Sequence, residues 1–499
     1  MPYRLCVPMP IRRLLRVGPV WLWSALVFAV LAVFGIMRHQ RFETAGYDLG
    51  IFDQAVLHYS HLKAPYVALK GPHYDLLGDH FHPIIAVLAP LYWIWSDPRM
   101  LLLAQAALIA LSVPVVHRVA ARHLGRRTAL AWAFAYGAGW PLQAMMGFDF
   151  HEVAFAVPLL ALALDALDRT PNTHADRWLW LWCGLLLLVR EDMGMLVALI
   201  GLLRLLRGSV GRPTRWRGAV LVVAGMAAYL VVTQVVIPHF NPHGFAYWDY
   251  DALGPDLSGA LGHIVAHPLD SARLFFTPRA KTDTLLWLLV PWAFLCLRSP
   301  YAIVVLPLLA QRFFSSREHL WYTSLHYSAP EWPILAIAAV DGVRRLRLAT
   351  WWRGRVLTIV AAWMVLLPIV GLVAYPSVFV VHRLLDGDSF ELTAHVRDQA
   401  LLVAHVPAST CVEADDRLIP HLTHTNLVSI PGYLGRDPDF YALDESLTSP
   451  NELSPDTEVV KRRALARGYT VVGRWGSLVL LRRPGYAGPS PACGPFGEG

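Results

Sequence analysis

The 499-residue chain is 56% hydrophobic and only 16% charged, with 19 tryptophans, a balance that excludes an ordinary soluble domain. Its formal charge of +7 does not point to nucleic acid, because the basic residues fall in short groups between apolar runs, with no interleaved stacking aromatics. Apolar runs approaching the roughly 20 residues needed to span a bilayer recur from Pro19 to Tyr375, so the chain reads as a polytopic membrane protein.

The first run, residues 19–37, follows Arg12, Arg13 and Arg16 and lacks a small-x-small cleavage site. It reads as an uncleaved signal anchor, with residues 1–18 in the cytoplasm. Later basic groups lie at Arg118, Arg122, Arg126 and Arg127, at 204–217, and at 344–355. Keeping all of them inside gives about eleven crossings, near 19–37, 99–118, 128–146, 153–168, 178–190, 192–206, 217–237, 284–298, 300–312, 329–343 and 356–376. The apolar stretch 83–95 is too short to span and would export every later arginine group if it did. It is expected as a re-entrant or interfacial helix in an outer first loop, 38–98, with Tyr92, Trp93 and Trp95 at headgroup level. After Tyr375 the pattern becomes that of a small α/β extracytoplasmic domain, 380–499: a helix near 389–406, strands at "TCVEA" and "LVSIP", and a hairpin turning at Trp475–Gly476. The expected fold is thus an all-α integral membrane bundle, 19–376, in the plasma membrane, carrying that domain outside. Of five cysteines, Cys411 and Cys493 fall on the outer, oxidising side and are expected to pair.

This topology, set by Lys and Arg alone, gathers four acid- and histidine-bearing motifs on the outer face: "YDLGIFDQ" (47–54), "GDHFHP" (78–83), "FDFHE" (148–152) and "REDMG" (190–194). Asp48 and Asp53 are either solvated loop acids or groups placed to take a proton from a hydroxyl whose co-substrate stays in the lipid. The segment bearing them has helical spacing and is expected to lie along the interface as an amphipathic helix. Asp149, His151 and Glu152, with His80 and His82 nearby, suit either a divalent ion such as Mn²⁺ or Zn²⁺ or a polar network bracing the loops. Arg190, Glu191 and Asp192 make either a paired tight turn or part of a site. Arg312 and Arg317 are outward cations that would serve a phosphate or a lipid headgroup.

Together with "ADDRLIPHLTH" (414–424), these motifs resemble the bacterial membrane family catalogued as domain of unknown function 2079, over about Phe42 to Arg483. That family is grouped with the C-type glycosyltransferase fold, which implies a multi-span enzyme using polyprenyl-phosphate sugars. In that fold an acid in the first outer loop serves catalysis, the place held here by Asp48 and Asp53. Better-known members carry adjacent Asp–Glu where this chain has Asp48–Leu49. The resemblance implies transfer of a sugar from a polyprenyl-phosphate donor to an acceptor at the outer face. In it Asp48 or Asp53 acts as base, and Arg190, Arg312 or Arg317 meets the phosphate. Two other classes stay open. A transporter would place its ionisable groups at midplane, often on repeated broken helices, and a scaffold would have a degenerate site.

Overall fold

A computed structural model of the protein describes residues 18–169, 173–207, 212–244, 246–346, 350–447 and 456–497. The arginines before the first span lie outside the described residues. Helix α1 (Pro19–Gln40) opens on a proline, whose missing N–H costs nothing in the first turn, and carries Arg38 in its last turn, a cation suited to a helix C-terminus. It packs against α2 (Arg99–Leu124). Then come α3 (Arg126–Gly137), α4 (Trp140–Met146), α5 (Ala156–Asp168), α6 (Thr173–Leu186), α7 (Met193–Leu206) and α8 (Arg212–Val231). Further on are α9 (Glu331–Arg344) and α10 (Thr350–Ala374).

Among the described residues, four helical stretches are long and apolar enough to cross a membrane: Pro19–Gln40, Arg99–Leu124, Arg215–Phe240 and Gly354–Ala374. The other expected crossings fall on shorter or broken helices, and two breaks have local causes. The run 128–146 divides at Ala138–Gly139, because Gly139 lies against the Trp332 indole where a Cβ has no room and Pro141 starts a new helix. The run 284–298 divides at Ala293 and Phe294, both in the left-handed region. Helices α7 and α8 meet backbone to backbone, Gly194 against Gly225 and Gly201 against Gly218, the small-residue contact by which helices approach without a hydrophobic drive.

Ion pairs lock one end of the bundle. Asp165 at the end of α5 takes Arg118, Arg122 and Arg169, and Asp168 takes Arg122 and His123. Asp176 holds Arg204 and Arg217, and Asp341 holds Arg344 and Arg345. Members of each internal basic group that were expected on the cytoplasmic side are therefore paired here, while Glu152 stands just ahead of the opposite end of α5.

The C-terminal region carries α11 (Ala394–His405), α12 (Thr457–Ala466) and a five-stranded sheet, β1 (Cys411–Ala414), β2 (Leu427–Ser429), β3 (Phe440–Asp444), β4 (Thr470–Trp475) and β5 (Leu478–Arg482). The order is β2-β1-β3-β5-β4, with β1 parallel to β2 and β3, and β5 antiparallel to β3 and β4. Cys411 and Cys493 form the expected disulfide.

Two expectations about the first loop change. Residues Ile51–Ser60 do form a helix, but it is buried nearly all round rather than lying exposed at the interface. The segment 83–92 and the C-terminal region cover its second face: Gln54 donates to the Val428 carbonyl. Tyr92 is likewise turned inward, while Trp93 and Trp95 stay exposed. The stretch around them is a 3-10 turn (Pro83–Leu88) and one short α-helix (Ala89–Tyr92).

Candidate functional site

Asp48 sits in a π-turn, Gly46–Gly50, whose Tyr47 is non-helical and whose N-terminal edge is held by the C-terminal region. The Gly46 N–H donates to the Asp416 carbonyl (2.8 Å) and the Tyr47 N–H to Asp416 Oδ1 (2.9 Å). The Asp48 side chain is 28% exposed and its Oδ2 lies 3.2 Å from His151 Nε2. Burial works against a charged His151, but the Asp48 carboxylate, with Glu152 and Asp149 behind it, outweighs that and raises the imidazole above its ordinary value. His151 stacks on His326 with ring centroids 3.6 Å apart. Burial first, and then the positive charge His151 carries when protonated, hold His326 well below the ordinary histidine range.

His326 carries this pair to the wall of a cavity of about 160 Å³, open on one side. His80, Arg190, Glu191, Asp192, Arg312 and Arg317 all line it, so one cavity wall gathers residues from the "GDHFHP" and "REDMG" motifs and from residues 312–327. Tyr247, Asp249, Tyr250 and Tyr327 complete its polar lining. His80 Nδ1 lies 2.7 Å from Glu191 Oε1. Burial opposes its charge, but Glu191 and Asp79 raise it overall. Its ring stacks on Tyr247 at 4.1 Å, and the Tyr247 hydroxyl donates to Asp79 (2.6 Å).

Asp53 has a different setting. It is fully buried, accepts from the Tyr92 hydroxyl (2.5 Å), and lies 2.9 Å from His424 Nε2, joining the first loop to the "PHLTH" stretch. Nearby, His421 stacks on His39 and Phe42. His82 is buried beside Phe52.

The set Asp149, His151 and Glu152 does not offer a metal three free ligands. Asp149 stands in the left-handed region (φ 64°), a conformation that Asp tolerates, and this turns its carboxylate onto Arg38 Nη1 (2.6 Å) and the Ala45 N–H (2.8 Å). Glu152 meets Arg190 at 3.4 Å and His151 meets Asp48. Among the described residues, ligand atoms of three such side chains converge only at Cys411, Asp439 and Cys493, where the two sulfurs are already bonded to each other. Each of the three side chains therefore has a polar or charged partner within the motif's surroundings.

Sequence reasoning passed over His326, Tyr247 and Asp249. The last two stand in "AYWDYD" (246–251), where acids set among aromatics were the available signal.

A family model described as "Predicted membrane protein (DUF2079)" matches residues 38–464. The structure is similar to that of ArnT from Cupriavidus metallidurans bound to undecaprenyl phosphate, with a TM-score of 0.53 at 15% identity, covering 94% of this chain and 99% of that one. The apo state of ArnT gives 0.51 at 14% identity, covering 93% and 98%. The Archaeoglobus fulgidus oligosaccharyltransferase in complex with Zn and sulfate gives 0.43 at 12% identity, covering 85% and 68%. No curated protein sequence matches the chain. The likeness to ArnT over nearly the whole of both chains shows a C-type glycosyltransferase fold.

Proposed function

The chain belongs to the DUF2079 family of predicted membrane proteins, and from that premise we propose that it is a membrane glycosyltransferase moving a sugar from a polyprenyl-phosphate donor to an acceptor at the outer face. The observation that carries the reading is the partly exposed Asp48, paired with His151 and joined through the His151–His326 stack to a cavity walled by arginines and tyrosines. The ArnT neighbour is bound to undecaprenyl phosphate, which supports a donor of that class.

In this reading Asp48 takes the proton of the acceptor hydroxyl as that oxygen bonds to the sugar carbon. The bond from the same carbon to the phosphate oxygen breaks, and the polyprenyl phosphate leaves with the electron pair and with inversion. His151, whose pKa the Asp48 carboxylate raises, holds the carboxylate in place before the acceptor arrives. Arginines of the cavity wall, drawn from Arg190, Arg312 and Arg317, offset the charge gathering on the departing phosphate. Asp53 anchors the loop rather than reacting. No step runs through a metal, since Asp149 and Glu152 are held by arginines. The bonds that join the C-terminal region to the first loop through Asp416 and His424 support a part for that region in selecting the acceptor.

The test is incubation of the purified, reconstituted protein with radiolabelled polyprenyl-phosphate sugars. Release of polyprenyl phosphate with label transferred to an acceptor supports an enzyme. Uptake of label across the bilayer without bond breakage supports a carrier and contradicts the proposal.

A further inference from the structure

The three arginines on the cavity wall are not equivalent. Arg312 is buried and its three nitrogens are all engaged: Nε donates to the Leu320 carbonyl, Nη2 to the Tyr322 carbonyl, and Nη1 to Ser328 and both oxygens of Glu331. Arg190 forks onto Asp192 through Nε and Nη2 and turns Nη1 to Glu152. Moving either away from its carboxylates would leave buried acids unpaired, a cost that a ligand would have to meet.

Arg317 differs in each respect. Its side chain is 35% exposed, only its Nε meets an acid, Asp249 Oδ2 at 2.7 Å, and its Nη1 and Nη2 have no hydrogen bond among the described residues. The guanidinium lies over the Tyr247 ring at 5.1 Å, which steers the plane without occupying the nitrogens. Asp249 is itself pinned, its carbonyl accepting from the Ser316 N–H (2.9 Å). A planar fork held at one nitrogen and open at the other two suits two oxygens of a phosphate, which a lysine would meet only as a point charge.

We infer that Arg317 is the cavity's phosphate contact, presented by Asp249 and Tyr247, and that Arg190 and Arg312 are structural. This rests on the proposed donor class, which says whose phosphate it is. Asp249→Asn keeps an acceptor for Nε while removing a negative charge beside the bound anion, so it strengthens binding. Arg317→Lys keeps the charge and loses the fork, so it weakens binding.

The experiment measures binding of undecaprenyl phosphate to the full chain in phosphatidylcholine nanodiscs, and of inorganic phosphate to the same preparation, with melting temperatures as the folding control. The expected pattern is a loss of about tenfold in lipid affinity for Arg317→Lys and a gain of about threefold for Asp249→Asn. Unchanged affinity in a folded Arg317→Lys variant, or weaker binding in Asp249→Asn, overturns the inference while the donor reading stands. If Arg317→Lys does not fold, the sign of the Asp249→Asn effect decides alone. The same pattern with inorganic phosphate but no binding of the lipid supports the anion contact and contradicts the polyprenyl donor. Binding of neither overturns both.

Discussion

Asp48 and Asp53 share one motif, yet burial sorts them. Asp48 is partly exposed and braced by His151, whereas Asp53 is enclosed and bonded to Tyr92 and His424. Asp53→Ala should therefore lower stability by about 1–3 kcal/mol, because it leaves the buried Tyr92 hydroxyl and the half-buried His424 imidazole without their acceptor. Chemical or thermal unfolding in detergent would measure it. His80 supplies a pH test. Its pKa is raised in the fold, so its pairing with Glu191 stabilises fully below its ordinary value of about 6.5 and is lost as pH rises through the raised value. The melting-temperature gap between the native chain and His80→Gln should be widest in mild acid and shrink above neutral pH. A gap that widens with pH would contradict this pairing. At this scale the sequence exposed which residue types collect on one face, but not their partners. His151 meets Asp48 across about a hundred positions of chain, and Asp149 turns to Arg38 through a backbone angle that composition does not reveal.

Among elements, the strongest legible signals were the apolar helices and the terminal hairpin. "YTVVGRWGSLVLLRR" forms β4 and β5, with Gly476 in the left-handed region that the turn requires. Strand β3 and helix α12 were not foreseen. The buried strand "FYALD" has no alternation to announce it, because every residue in it is covered. The helix of residues 51–60 was read correctly in type and wrongly in setting, since its second face is covered by chain more than 350 residues later. The pairing of Cys411 with Cys493 was legible from compartment alone. It closes a loop of 82 positions, so replacing either cysteine by serine should cost about 4–5 kcal/mol at most on the chain-entropy account. Unfolding of the oxidised protein beside each serine variant would measure the loss. A stability unchanged within error would mean that the β-sheet holds the tail unaided.

For the whole molecule, the distribution of charge that oriented the crossings also separates two polar ends. Arginines of the internal basic groups are paired at one, and Asp48, His80, His151 and Glu191 gather at the other. The expected sidedness has a direct check. Cysteines placed at exposed Leu62, in the first loop, and at exposed Arg126, the first residue of α3, should react with an impermeant maleimide from opposite sides of intact cells. Labelling of both from the same side would remove the outer-face site. The proposed glycosyl transfer depends on Asp48 as its base. The most direct measurement is the rate at which reconstituted protein releases polyprenyl phosphate from a radiolabelled polyprenyl-phosphate sugar, for the native chain and for a normally folded Asp48→Asn variant. The account predicts measurable turnover by the native chain and a loss of about a hundredfold or more in the variant. Equal rates in the two proteins would contradict it.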